Sequence, residues 1–195
     1  MYIYYTKDGK FTSKRRELIP IENLISTENK PSILWRDKYK EWWINGKRHR
    51  KNGPAMIRGS NQEWWFNGKR HRINKPAVID GGEKEWWKNG KPHRLDGPAV
   101  EWANGHKEWW LNGKKHRLNG PAYINGDGTK QWYLNGKLHR VSGHAVEFIY
   151  NSNIYLKWYI NGRKLKTKEV KAWIKDNNIN LKIKAHQVLF MLKFG

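Results

Sequence analysis

The chain has 195 residues, with 39 Lys and Arg against 17 Asp and Glu, a formal charge of +22 and no Cys. The missing cysteines exclude a disulfide scaffold, a Cys-based zinc site, an iron–sulfur cluster and a thiol nucleophile. At 14% aromatics, 13 Trp among them, the composition encodes a folded chain and not a disordered polycation.

The first residues lack the apolar core of a signal peptide, and the longest purely apolar run is residues 188–192. The expectation is therefore neither secretion nor a membrane span. Residues 1–40 read as an N-terminal cap. A hairpin starts at residues 2–5 and turns at Asp8-Gly9, and a short helix over residues 16–25 is interrupted at Pro20.

Residues 41–162 are a repeat array. The string Glu-Trp-Trp-x-Asn-Gly-Lys-x-His-Arg occupies residues 41–50 and returns at Glu63, Glu85 and Glu108. A fifth copy has Gln131 for Glu and Tyr133 for the second Trp; a sixth, at 157–166, keeps Trp158, Tyr159, Asn161 and Gly162. The Asn-Gly pairs begin at 45, 67, 89, 112, 135 and 161, spacings of 22, 22, 23, 23 and 26. Asn-Gly between β-forming segments is a strong hairpin signal, because a type I′ turn needs positive φ at both central residues. Counting outward from Asn45-Gly46 sets Ile44 opposite Lys47, Trp43 opposite Arg48, Trp42 opposite His49 and Glu41 opposite Arg50. The same count pairs Glu63 with Arg72, Glu85 with Arg94 and Glu108 with Arg117.

After each His-Arg comes a second element, Asn52-Gly53-Pro54-Ala55, Asp96-Gly97-Pro98-Ala99 and Asn119-Gly120-Pro121-Ala122, with looser versions Asn74-Lys75-Pro76-Ala77 and Ser142-Gly143-His144-Ala145, then a short strand and a turn of variable length. Adjacent Trp in one strand point to opposite faces. The expectation is two aromatic ladders: Trp42, Trp64, Trp86, Trp109, Trp132 and Trp158 in one, and Trp43, Trp65, Trp87, Trp110, Tyr133 and Tyr159 in the other. The fold class is thus mainly β, an array of stacked hairpins with nearest-neighbour stability. The repeat resembles the MORN-type repeat. It is most similar to the Trp-Trp-x-Asn-Gly-Lys-x-His-Arg-x-Asp-Gly-Pro-Ala repeat proteins encoded by giant DNA viruses and large phages, over residues 40–163. The resemblance implies a twisted array of hairpins with no catalytic residue, in a viral protein found in the virion or the infected-host cytoplasm.

Residues 163–195 read as a basic helical cap or tail. Thr167 is the expected N-cap of a helix with Val170, Trp173 and Ile174 on one face, ended by Asn177-Asn178, and residues 185–194 form a second helix. This element is expected to cover the last open hairpin edge.

The column His49, His71, His93, His116 and His139 reads as structural, facing the Trp column Trp42, Trp64, Trp86, Trp109 and Trp132, because copies two strands apart, roughly 10 Å, place rings too far apart to share a metal ion. No nucleophile–base–oxyanion set or phosphate loop is present, so the reading is a non-enzyme without a cofactor. The three segments carry +4, +11 and +7. The cationic candidates are Lys47, Lys69, Lys91, Lys114 and Lys137, continued by Arg163, with Arg48, Arg70 and Lys115 beside them and Lys164, Lys166 and Lys168 in the tail. Such a row suits nucleic acid or an acidic protein partner, and less well an anionic membrane; it equally suits a solvated hairpin edge guarded by Lys. The function expected is a structural or scaffolding component, associated with the virion, whose basic surface engages one of these partners. The alternative is a dedicated nucleic-acid binder with no structural role.

Overall fold

The computed structural model describes residues 2–6, 9–13, 23–36 and 38–195. The chain is mainly β and divides into two compact units, Met1–His93 and Arg94–Gly195.

Every copy contributes two hairpins instead of one. In the first unit, sheet hairpins form from Ile33–Trp35 with Tyr39–Glu41, Met56–Arg58 with Asn61–Glu63, and Val78–Asp80 with Glu83–Glu85. The second strand of each pairs with the first strand of the next, Glu41 opposite Met56 and Glu63 opposite Val78. Strand Tyr2–Thr6 joins this sheet through Ile33–Trp35 and pairs on its other side with Gly9–Ser13. A repeat-type sheet hairpin is therefore already present at residues 33–41, where Pro31-Ser32 takes the place of Pro-Ala.

The second unit repeats the pattern with Val100–Glu101 and Lys107–Glu108, Tyr123–Ile124 and Lys130–Gln131, and Val146–Tyr150 and Asn153–Lys157. The Asn-Gly hairpins are separate two-stranded ladders, Trp43–Ile44 with Lys47–Arg48 being the first. Asn45 and Gly46 have φ of 49° and 70°, and the pair is left-handed at every other Asn-Gly turn too, as type I′ requires.

What separates the two hairpins is the first Trp of each pair, which lies in neither strand. The Trp42 amide donates to the Ala55 carbonyl at 2.9 Å, and Trp64 to Ala77, Trp109 to Ala122 and Trp132 to Ala145 at 2.8–2.9 Å. The backbone thus leaves its own hairpin and bonds to the next copy. Those alanines are wholly buried, so nothing larger fits where the chain crosses between copies. The expected continuous Trp-Trp strand is corrected accordingly.

The ends are built differently. Of the expected helix at 16–25, residues 16–22 lie outside the described residues, as does Asp8 of the first turn. Leu24 bridges Thr6 and the Ile25 amide donates to the Tyr5 carbonyl at 3.0 Å, both strand-type contacts. In the second unit, helices α1 (Thr167–Asp176) and α2 (Lys184–Phe194) pack on the sixth Asn-Gly hairpin. Val170, Phe190 and Phe194 close over Trp158, Ile160 and Leu165. The N-cap of α1 is Lys166, with no side-chain cap bond, so Thr167 is a helical residue and not the expected cap. These helices cover the last Asn-Gly hairpin but leave the sheet strand Asn153–Lys157 exposed along most of its length, against the expectation that the open edge is covered.

The Gly of each Gly-Pro-Ala has a stated steric role. A Cβ on Gly53 would lie 2.9 Å from the Arg50 guanidinium, which sits 3.8 Å from the centroid of the Trp42 ring. In the second copy Lys75 holds this position and Arg72 keeps its stack on Trp64 at 3.7 Å, so Gly53→Ala should displace the Arg50 guanidinium only in part and cost about 1 kcal/mol or less. Urea denaturation is the measurement, and Arg50→Lys, which loses the planar stack, should show at least as large a loss.

Candidate polyanion-binding surface

The two aromatic columns use their cations in different ways. Over the first column lie the arginines that follow His: Arg50 on Trp42, Arg72 on Trp64, Arg117 on Trp109 and Arg140 on Trp132, at 3.7–3.8 Å. Each also donates to the carbonyl four residues on, that of Pro54, Pro76, Pro121 or His144, at 2.9–3.3 Å. Burial pulls the pKa of Arg50, Arg72 and Arg117 below the ordinary guanidinium value.

Among the described residues no ion pair joins Arg50, Arg72 or Arg117 to the repeated glutamate of its own copy, and Arg94 pairs with Asp96 and Glu101 at 2.8 and 2.9 Å, which corrects the expected Glu41–Arg50, Glu63–Arg72, Glu85–Arg94 and Glu108–Arg117 pairs. Counting outward assumed an unbroken ladder, whereas pairing in the hairpin ends at Trp42–His49 and Glu41 belongs to the sheet. Glu41 is fully buried; it accepts from the Trp43 indole at 2.9 Å and Arg48 at 2.7 Å, and from the Tyr39 hydroxyl. Glu63 takes the Trp65 indole at 2.7 Å and Arg70 at 3.2 Å; Glu108 takes the Trp110 indole at 2.6 Å and Lys115 at 2.9 Å. Glu85 takes the Trp87 indole at 2.7 Å and lies 3.8 Å from Arg70.

Arg48, Arg70 and Lys115 therefore belong to a neutralised wall. Arg48 lies 5.2 and 5.5 Å from the Trp43 and Trp65 rings, and Arg70 5.4 and 5.3 Å from Trp65 and Trp87. Lys115 lies 5.4 and 5.6 Å from Trp110 and Tyr133. The fifth copy lacks both members, with Gln131 for Glu and Leu138 for the cation, whereas the third keeps Glu85 with Pro92 in the cation's place and draws on Arg70 instead.

The lysines directly after the turn behave otherwise. Lys47, Lys69, Lys91, Lys114 and Lys137 are all exposed, and among the described residues none lies within ion-pair distance of a carboxylate. Their stems rest on the glycine of the following turn. A Cβ on Gly68 would meet Lys47 carbons at 3.4 Å, and Gly90, Gly136 and Gly162 stand likewise to Lys69, Lys114 and Lys137 at 3.5–3.6 Å. The stem is held while the ammonium stays in water. In the second unit, Lys114, Lys115 and Lys137 border a cleft of about 410 Å3 whose other walls include Trp110 and Tyr133. Arg163 is exposed and donates to the Phe194 carbonyl; Lys164 is exposed opposite Tyr159; Lys166 pairs with Glu169 at 2.9 Å; Lys168 is exposed on α1.

The histidines connect neighbouring copies. The Nδ1 of His49, His71, His116 and His139 lies 3.1–3.2 Å from the backbone N of Asn67, Asn89, Asn135 and Asn161, and that of His49 and His116 also lies 2.7 and 2.9 Å from the side-chain Oδ1 of Asn67 and Asn135. The His93 amide donates to the Trp86 carbonyl at 3.0 Å, the position each repeated His holds. Among the described residues no three His, Asp or Glu converge on a metal-sized site, and no helix is long and apolar enough to cross a membrane. No protein-family model matches the chain, and comparison with curated proteins returns no match.

Burial lowers the pKa of His139 and His144, the first opposed by its Asn161 bond and the second by Glu147. A folded pKa below the unfolded value of about 6.5 means the unfolded chain binds more protons, so stability rises with pH. The contribution is complete above about 6.5 and is lost as pH falls below it through the lower folded values. Urea midpoints between pH 7.5 and 5.5 should fall on acidification. The double replacement His139→Gln and His144→Gln should flatten that slope while lowering stability at neutral pH.

Proposed function

We propose that the protein is a non-enzymatic repeat scaffold that binds nucleic acid as a polyanion along its Asn-Gly turns. One observation carries the reading: at a single repeat position, five exposed lysines have no carboxylate partner among the described residues, while the neighbouring Arg48, Arg70 and Lys115 are neutralised by buried or half-buried glutamates. A phosphate chain offers charges at regular intervals and releases counterions when lysines neutralise it. The half-buried second aromatic column and the cleft beside Trp110 and Tyr133 favour single strands, whose bases can stack. Association with a virus particle or an infected-cell cytoplasm rests on the likeness of the repeat to viral repeat proteins.

Titration of labelled single- and double-stranded DNA at increasing salt tests the proposal. The expected result is tight binding at low salt with a steep log–log salt slope. Replacing Lys47, Lys69, Lys91, Lys114 and Lys137 by Gln should reduce the magnitude of that slope by about four, close to one unit per lost phosphate contact. The fold should be unchanged by circular dichroism. An unaltered slope in the quintuple variant would sink the assignment of these lysines, and salt-insensitive binding would sink the polyanion reading.

A further inference from the structure

The sheet of the second unit grows by one rule. The second strand of each hairpin, Lys107–Glu108 and then Lys130–Gln131, accepts the first strand of the next. Strand Asn153–Lys157 holds the same position, pairs with Val146–Tyr150 on one side, and is not followed by another sheet hairpin, because the chain runs on into the sixth Asn-Gly turn and the two helices. The Lys157 carbonyl accepts the Ala145 amide at 2.9 Å and so faces inward. By alternation, the N–H and C=O groups of Ile154 and Leu156 point outward.

This hairpin is also longer than its counterparts, five residues per strand against two or three. The added length is apolar and exposed: Ile154 is 69% accessible, Tyr150 62%, and Tyr155 and Leu156 42% each. Residues 153–157 contain no Pro, Gly or acid and a single Lys at one end. Soluble proteins normally protect an edge with charge, Pro or brevity, and this one has almost none of those protections.

We infer that strand Asn153–Lys157 is a self-association edge, pairing antiparallel with the same strand of a second copy about a two-fold axis at Tyr155. That register sets Ile154 opposite Leu156 of the other copy twice, the outward-facing residues in each case, and so closes four backbone hydrogen bonds. Apolar side chains meet apolar ones on one face. On the other, Tyr155 meets its own counterpart, each ring already stacked on Phe148 at 4.9 Å, and each Lys157 meets the neutral Asn153. No like charges oppose one another directly, which favours a second copy over a strand of unrelated sequence. The pairing is isologous, so assembly closes at two chains.

Sedimentation velocity on the full chain tests this. Wild type should show a species of twice 23.3 kDa whose population grows with protein concentration and with salt, since salt screens repulsion between two chains of +22. That salt response has the opposite sign to polyanion binding, so the two proposals stand or fall separately. Leu156→Pro removes an outward N–H without touching the bonds to Val146–Tyr150, and should abolish the doubled mass. Ile154→Lys, at an exposed position, should do the same with an unchanged melting curve and unchanged DNA affinity, covering the case that the proline variant folds poorly. A wild type that remains at the single-chain mass at high concentration and high salt overturns the inference, leaving the edge to a different occupant. Retention of the doubled mass in folded Leu156→Pro and Ile154→Lys overturns it as well.

Discussion

The stack of Arg on the first Trp is the contact to which the other positions of the repeat conform. A guanidinium 3.7–3.8 Å from an indole centroid needs a flat approach on both sides and an acceptor for its edge. The glycine three residues after Arg50 leaves that space, as do those after Arg94, Arg117 and Arg140, and the proline carbonyl supplies the acceptor. Pro has no amide proton to satisfy at this crowded point. The alanine after it must be small because the neighbouring backbone bonds to it directly. His-Arg-x-x-Gly-Pro-Ala thus serves one stack, and the second copy, with Lys75 for the Gly, keeps the Arg72 stack and the Pro76 bond.

The termini support this account, because each replaces what a missing neighbour would supply. At the start, Ser26 donates its hydroxyl to the Trp43 carbonyl at 2.8 Å. The carbonyls of Trp65 and Trp87 instead accept the amides of Arg50 and Arg72 from the preceding copy. Glu28 accepts the Asn52 amide at 2.8 Å, and its carbonyl takes Arg50. In the sixth copy the stacking position holds Lys166, which turns away to Glu169. Trp158 is covered instead by His144 at 4.3 Å and Phe190 at 5.7 Å, and Leu165 replaces the repeated His where no following turn offers an amide. At the C-terminal end, polar inter-copy contacts give way to apolar packing.

Much of this was legible in the sequence. The Asn-Gly turns, their register out to Trp42 and His49, the mainly β class and both C-terminal helices follow from turn chemistry and apolar spacing, which are local properties. What escaped is the partner of each charge. Glu41 and Arg50 are symmetric about the turn, and only a tertiary event, the Trp42 amide crossing to Ala55, takes them out of register. Thr167 failed as a cap for a related reason: the helix begins one residue early, with Lys166 held at its start by packing of Leu165 into the apolar cluster. Turn propensities do not report contacts between copies, such as the Trp42 amide on Ala55.

The distribution of lysine bears on what the excess charge is for. If its task were to keep strand edges from pairing, it would concentrate on open edges. The reverse holds. Lys47, Lys69, Lys114 and Lys137 sit on hairpins whose outer strands are already engaged, with the next turn's glycine amide bonded to the Arg48, Arg70, Lys115 or Leu138 carbonyl at 2.8–2.9 Å. The open strand Asn153–Lys157 carries one lysine, at its inner end and lying 4.7 Å from the Phe148 ring. At these two places charge is therefore present where pairing is satisfied and withheld where it is not, although Arg163 and Lys164 keep theirs on the last Asn-Gly hairpin, which no further Asn-Gly turn follows. Edge protection accounts for neither half of that pattern, whereas a turn surface that meets an anion and a sheet edge that meets another strand account for both.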